Sequence, residues 1–183
     1  PSASPKTQLY FNGDIITMVG EQPQYAQAIL VENGKILFVG SPVQGQEYYL
    51  EEIEQIINNN DLTDTVKILP FTKDLSKVWS ITDIAVMPST EAESFGLVAA
   101  EAMMAKKPVI AANHGGLKEI VVDNETGYLI EPNSKEAFKE ALQKLISNPD
   151  IRTNFGENGF QRAIKKFSIE KYVRKIEDIL ENN

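Results

Sequence analysis

Three features of this 183-residue chain predict an α/β fold, a parallel sheet with helices on both faces. Short, continuously apolar runs alternate with helical segments from residue 35 onward, the signature of strands buried on both faces. Those runs end at Gly or Pro, as in Lys35–Gly40, Val66–Pro70 and Asp83–Pro88, which sets strand boundaries. Hydrophobic residues make up 42% of the chain and charged residues 24%, a balance that supports a core without disulfide or metal staples.

Taken in order, Lys35-Ile36-Leu37-Phe38-Val39-Gly40 reads as a buried strand. Gln46–Asn59 places Tyr49, Leu50, Ile53, Ile56 and Ile57 on one stripe, the spacing of an amphipathic helix. Asn58–Asp61 stops it, and Val66–Leu69 is the next strand, closed by Pro70. Leu75–Ser80 is a short helix, and Asp83–Met87 is a strand closed by Pro88. The Ala-rich stretch Phe95–Lys107 is helical, Pro108–Ala112 is a strand, and Gly115-Gly116 is a turn. Leu117–Val122 is a short helix and Gly127–Ile130 the last strand. Lys135–Ser147, Pro149–Ile164 and Ile169–Leu180 finish the chain as helices.

Residues 1–34 form a separate β-hairpin-like segment, and residues 35–183 the α/β domain. Leu9–Gly20 reads as strand, Asn-Gly turn, strand. Ala28–Val31, Asn33-Gly34 and Lys35–Val39 fit a second hairpin. Alternatively, Ile15–Val19 is the first strand of the parallel sheet and Pro23–Val31 its crossover. That crossover offers about ten residues, where a dozen or more are usual. Both readings stand at this stage.

Several function classes drop out. The chain has no Cys and one His, so it holds no disulfide scaffold, zinc ribbon, Cys nucleophile or multi-His metal site. No window approaches 18 apolar residues, so no transmembrane segment is expected. Pro1–Pro5 lacks a charged n-region and an apolar h-region, so a cytoplasmic protein without a secretory signal is expected. The net charge of −8 argues against a nucleic acid partner. Lys106-Lys107 and Lys165-Lys166 are short pairs with acidic neighbours, read as solvated faces.

The chemistry concentrates in Met87–Met103, where a buried strand runs through a polar loop into a helix opening with Phe95-Gly96-Leu97. In an open parallel sheet, ligands collect at the carboxyl ends of the strands. A helix N-terminus there offers unpaired N–H groups to a phosphate, and Gly96 lets a ligand approach the backbone. Glu93 and Glu101 flank this terminus eight positions apart, up to about 12 Å at helical rise. Carboxylates accept hydrogen bonds from vicinal hydroxyls. Glu93 can therefore hold a hexose and Glu101 a ribose, with a diphosphate between them. A loop or capping role for Glu93 and a solvated position for Glu101 fit the same spacing. Asn113-His114-Gly115-Gly116 permits a second close backbone approach, or is an ordinary tight turn. His114 is a candidate general base or a hydrogen-bonding loop residue. Trp79 and Phe95 read as packing residues.

The combination resembles the nucleotide-sugar-binding half of the retaining GT-B glycosyltransferases, the group-1, family-4 type. The resemblance lies in Asp83–Ser89, Glu93-Ser94-Phe95-Gly96-Leu97-Val98, Glu101-Ala102-Met103, Lys107–Ala111, Gly115-Gly116, Glu119–Val121 and Thr126–Ile130. The tail Asn148-Pro149, Phe155-Gly156, Phe167-Ser168 and Tyr172 is similar too. It implies a Rossmann-like domain, one half of a GT-B fold. It implies that Glu93 contacts the transferred sugar, Glu101 the ribose, and backbone groups of Ser94, Phe95, Gly96 and Leu97 the sugar and diphosphate. Phe71 and Thr72 would contact the base, with Gly115 and Gly116 also at the donor. The donor substrate would be a nucleotide-diphosphate sugar, with no cofactor and no metal. The acceptor, a polysaccharide or glycolipid, would be brought by an N-terminal domain missing from this chain, which alone would transfer nothing.

Two features depart from that pattern. The family usually has an Arg and a Lys after the first strand of this domain, near the diphosphate; here that region reads Gly20-Glu21-Gln22-Pro23-Gln24, with no basic residue, so either the first strand is not Ile15–Val19 or the pair is missing. Leu9–Met18 with Ala28–Gly40 resembles instead the small β-segment that opens metal-dependent amidohydrolases, which suggests a fusion or a replaced first unit. The alternative to a donor-binding domain is a fold-only or chimeric Rossmann-like domain without ligand or activity.

Overall fold

The computed structural model describes residues 30–32, 35–41, 47–72, 74–88 and 96–168. The hairpin expected over Leu9–Gly20, the turn at Asn33-Gly34 and the helix expected over Ile169–Leu180 lie outside the described residues.

The strands are β1 (Leu30–Glu32), β2 (Lys35–Val39), β3 (Val66–Leu69), β4 (Ala85–Met87), β5 (Val109–Ala112) and β6 (Gly127–Ile130). The helices are α1 (Tyr48–Asn59), α2 (Ser76–Ser80), α3 (Leu97–Met104), α4 (Leu117–Ile120), α5 (Lys135–Ser147) and α6 (Pro149–Phe167). Two three-stranded groups form, in the orders β1-β2-β3 and β4-β5-β6. Pairs β2–β3, β4–β5 and β5–β6 are parallel, as expected of strands separated by helices.

Among the described strands, only β1 runs the other way. It pairs antiparallel with β2, Leu30 opposite Leu37 and Glu32 opposite Lys35. The pairing is that of the hairpin read into Lys35–Val39, while Ile15–Val19, the strand of the other reading, lies outside the described residues. Two intervening residues are too few for a crossover and suffice for an antiparallel turn.

Alternate strand residues enter two cores. Leu37, Val39, Ala85, Met87, Val109 and Ala111 pack with α2, α3 and α4, joined by Ala163 of α6. Ile84, Val86, Ile110 and Ile130 pack on Phe138, Leu142 and Leu145 of α5, with Ile36 and Phe38 against them. Residues of β2 share both cores with β4, so the two strand groups lie in one layer with helices on both faces. Trp79 is buried in the first core, the packing role expected of it.

Helix α3 is shorter than the Phe95–Lys107 stretch read from composition. It ends because Lys106 turns left-handed at φ 57. Lys107 N then donates to Ala102 O at 2.9 Å and Lys106 N to Met103 O at 2.9 Å, a Schellman closure that satisfies the terminal carbonyls. Helix α1 ends the same way through Asp61, with Leu62 N donating to Ile57 O at 2.9 Å. Helix α6 continues three residues past the expected Ile164, to Phe167. Its two glycines, Gly156 and Gly159, sit where α3 crosses. A Cβ at Gly156 would stand 2.2 Å from Lys106 O, so the crossing requires glycine.

Candidate functional site

The carboxyl end of β4 leads, through residues outside the description, into α3. Gly96 caps this helix in the left-handed conformation, φ 85 and ψ 47, which favours glycine. Its own carbonyl receives the first helical bonds, from Ala99 N at 3.0 Å and Ala100 N at 3.3 Å. The amides of Leu97 and Val98 precede these bonds, and they belong to the helix end that carries partial positive charge.

Gly96 is buried against α4. A Cβ there would come within 2.7 Å of Leu117 Cδ2 and 3.4 Å of Ile120 Cδ1. Leu117 and Ile120 are themselves fully buried. The structure thus brings the start of α3 against the segment that follows Gly115 and Gly116. Gly115 takes φ 55, and Gly116 caps α4 in an ordinary right-handed conformation, so only the first of the pair needs glycine for its backbone. His114 is half-buried, and its amide donates to Ala112 O at 2.9 Å.

Glu101 lies one turn beyond the helix start, at i+4 from Leu97 and therefore on the same face. Leu97 is 52% exposed, so this face is open to solvent at its upper end. Glu101 is half-buried, and that burial alone raises its carboxyl pKa above the ordinary value. A carboxylate with little water to solvate it gains most from a hydroxyl donor that replaces the missing hydration.

Phe71 and Thr72 stand at the carboxyl end of β3, beside the end of β2. Phe71 N donates to Ser41 Oγ at 3.0 Å, which ties the two loops together. Phe71 is 44% exposed, while Thr72 is half-buried and its hydroxyl accepts from Asp74 N at 3.2 Å. Asp74 Oδ1 in turn accepts from Ser76 N at 3.1 Å and from the Ser76 hydroxyl, bonds that hold its carboxyl below the usual pKa. Glu93, Ser94 and Phe95 lie outside the described residues.

One positioning residue escaped the sequence reading. Arg162, in α6, donates from Nε to Ile120 O at 2.7 Å and from Nη2 to Glu119 O at 2.6 Å. It closes the C-terminal carbonyls of α4 and so fixes the helix that meets Gly96. Nothing in the local sequence marks it, because its partners lie more than forty positions away.

The family model for glycosyl transferases group 1 matches residues 21–162. The chain belongs to this family. The group 1 chain is 36% identical over 162 residues to an uncharacterized glycosyltransferase of Methanocaldococcus jannaschii, covering 87% of this chain and 45% of that one. Among solved structures, Anabaena Alr3699/HepE in complex with UDP superposes with a TM-score of 0.79 at 27% identity, covering 84% of this chain and 42% of that one. The C-terminal domain of a glycosyl transferase group 1 family protein, LpcC, from Francisella tularensis superposes with a TM-score of 0.63 at 33% identity, over 69% and 66% of the two chains. The group 1 chain thus spans less than half the length of the first curated relatives it matches. The family match begins at residue 21, inside the segment read from sequence as a separate unit. No helix among the described residues is long and apolar enough to cross a membrane.

Proposed function

We propose that this chain is the nucleotide-sugar donor-binding domain of a retaining glycosyltransferase. One arrangement carries the reading: a glycine-capped α3 at the carboxyl end of β4, with the half-buried Glu101 one turn inside it. An anion on the N–H groups and a hydroxyl pair on Glu101 lie within one ligand's reach, about 7–8 Å for five residues of helix. The complex of Anabaena HepE with UDP supports a nucleotide diphosphate in such a fold.

In this reading Glu101 accepts from the ribose hydroxyls and Glu93 from the sugar, while backbone groups of Ser94, Phe95, Gly96 and Leu97 hold the diphosphate. Phe71 and Thr72 meet the base, and Gly115 and Gly116 allow the donor close to the backbone. N–H dipoles stabilise the leaving diphosphate without a metal. The acceptor, a polysaccharide or glycolipid, and the groups that activate it come from a missing N-terminal domain, so the isolated chain binds donor and transfers nothing. The protein works in the cytoplasm.

Calorimetric titration with UDP, UDP-glucose and GDP-mannose tests the donor site. Binding that weakens at least tenfold in Glu101→Ala is expected. No heat at millimolar ligand, with the variant indistinguishable from wild type, overturns it. Retention is read separately, from the anomeric configuration of the product made by a full-length enzyme containing this domain.

One observation favours a second reading, a chimeric domain without ligand. Residues 7–34 contain no Lys or Arg, so the usual cations beside the diphosphate have no source there. The same titration separates the two. A third reading is an amidohydrolase fragment, which stoichiometric zinc in metal analysis would revive.

A further inference from the structure

In the donor-binding reading, the charge of the diphosphate falls on backbone N–H groups, and a side-chain donor beside them would add a stronger, charge-assisted bond. Ligands of parallel sheets gather where strands give way to the following helices. Across those connections, from β2 to β6, His114 is the only basic side chain among the described residues, and it is the single histidine of the chain. Lys73, after β3, lies outside the described residues.

The sheet sets His114 beside the start of α3. Strands β4 and β5 are parallel neighbours, Met87 opposite Ala111, and paired strands lie about 5 Å apart. Their carboxyl ends therefore open onto one rim. Asn113 N still reaches β6, donating to Ile130 O at 2.7 Å, whereas His114 N turns back to Ala112 O at 2.9 Å. Gly115 follows at φ 55, and the chain arrives at Leu117, whose Cδ2 stands 2.7 Å from where a Cβ of Gly96 would be. Three residues, at most about 11 Å of chain, separate His114 from that contact. The Leu97 and Val98 amides begin on its other side.

We infer that His114 is a diphosphate-binding residue, its imidazole donating from Nε2 to an oxygen of a nucleoside diphosphate that also rests on the N–H groups opening α3. The inference depends on the donor-binding reading and extends it to a side chain which that reading does not use. His114 is half-buried and its Nδ1 is out of water, so Nε2 is the nitrogen that a ligand meets. Partial burial also limits the water that screens a charge. Lys118, in the first turn of α4, is exposed, and an ammonium in full contact with water gains little from an anion.

NMR of the whole chain reads the contact directly, because a single histidine gives one set of imidazole signals. Titration with UDP, and with inorganic pyrophosphate, should shift the His114 Nε2 and ring-proton signals along saturating curves, whereas uridine should leave them in place. Calorimetry then separates a ligand contact from a structural role. UDP affinity should fall at least fivefold in His114→Leu, recover in part in His114→Gln, which keeps an N–H donor, and stay within twofold of wild type in Lys118→Gln. UDP heat with the wild-type imidazole signals unmoved overturns this inference and leaves the donor reading standing, as does wild-type affinity in His114→Leu or an equal loss in Lys118→Gln. Shifts as large with uridine as with UDP overturn it too, because they report the nucleoside and not the diphosphate. No UDP heat in the wild-type chain overturns the donor reading and this inference with it.

Discussion

The Leu117 side chain occupies the space that any side chain at Gly96 would need, 2.7 Å from the position of a Cβ there. The two residues come from different strand–helix units, and their contact sets how α3 meets the crevice. Gly96→Ala therefore meets two penalties: a left-handed backbone, about 1–2 kcal/mol, and displacement of the Leu117 tip. Thermal unfolding should shift down, and the affinity for UDP should fall at least tenfold. Wild-type values for both would show that neither the cap nor the contact matters.

The raised pKa of Glu101 makes a signed pH prediction. A carboxyl whose folded value lies above its unfolded one contributes its stability below the unfolded value and loses it as pH rises through the folded value. Ligand binding has the opposite sense if, as proposed, the ribose hydroxyls bond to the carboxylate. Affinity for UDP should rise with pH through the acid range, and the rise should vanish in Glu101→Gln. Calorimetry at a series of pH values reads both. An identical pH profile in the variant assigns the dependence to another group.

Glycine in an exposed helix usually yields stability to alanine, about 0.5–1 kcal/mol. Gly156→Ala should do the reverse, since its Cβ would meet the Lys106 carbonyl at 2.2 Å. Prising α6 from α3 costs about 1–3 kcal/mol as overpacking. The urea midpoint measures it, and an unchanged or higher midpoint would contradict the close crossing.

Arg162→Met keeps the aliphatic stem and removes the bonds to Ile120 O and Glu119 O. A charge-assisted bond is worth about 1.5–3 kcal/mol, and the half-exposed setting favours the lower end for the pair. Stability should drop by about 1–2 kcal/mol, and UDP affinity by several-fold through the loosened α4. Arg162→Lys should recover part of the stability. Loss of stability with affinity unchanged would show that α4 does not position the site.

Much of the frame was legible in the linear pattern. Val66–Leu69, Gly127–Ile130 and Lys135–Ser147 form with the boundaries read from sequence, because apolar runs and helical stripes are local signals. Boundaries slipped where a left-handed residue ended a helix, as at Lys106, since Ala-rich composition does not announce a Schellman turn. Gly96 was legible as a place of close approach, but its neighbour Leu117 was not. Gly156 and Gly159 carry no packing signal in the linear pattern; only the approach of α3 shows what they accommodate.

By itself, then, the order of residues determined the alternation of strands and helices, the acidic surface and the glycine that opens α3. These follow from periodicity, side-chain chemistry and backbone freedom, each a property of neighbours along the chain. Tertiary structure alone decided that Glu101 is half out of water and that Arg162 holds α4 in place. Each of these depends on groups distant in sequence, whose approach is chosen by burial and by the demand that buried backbone groups find partners.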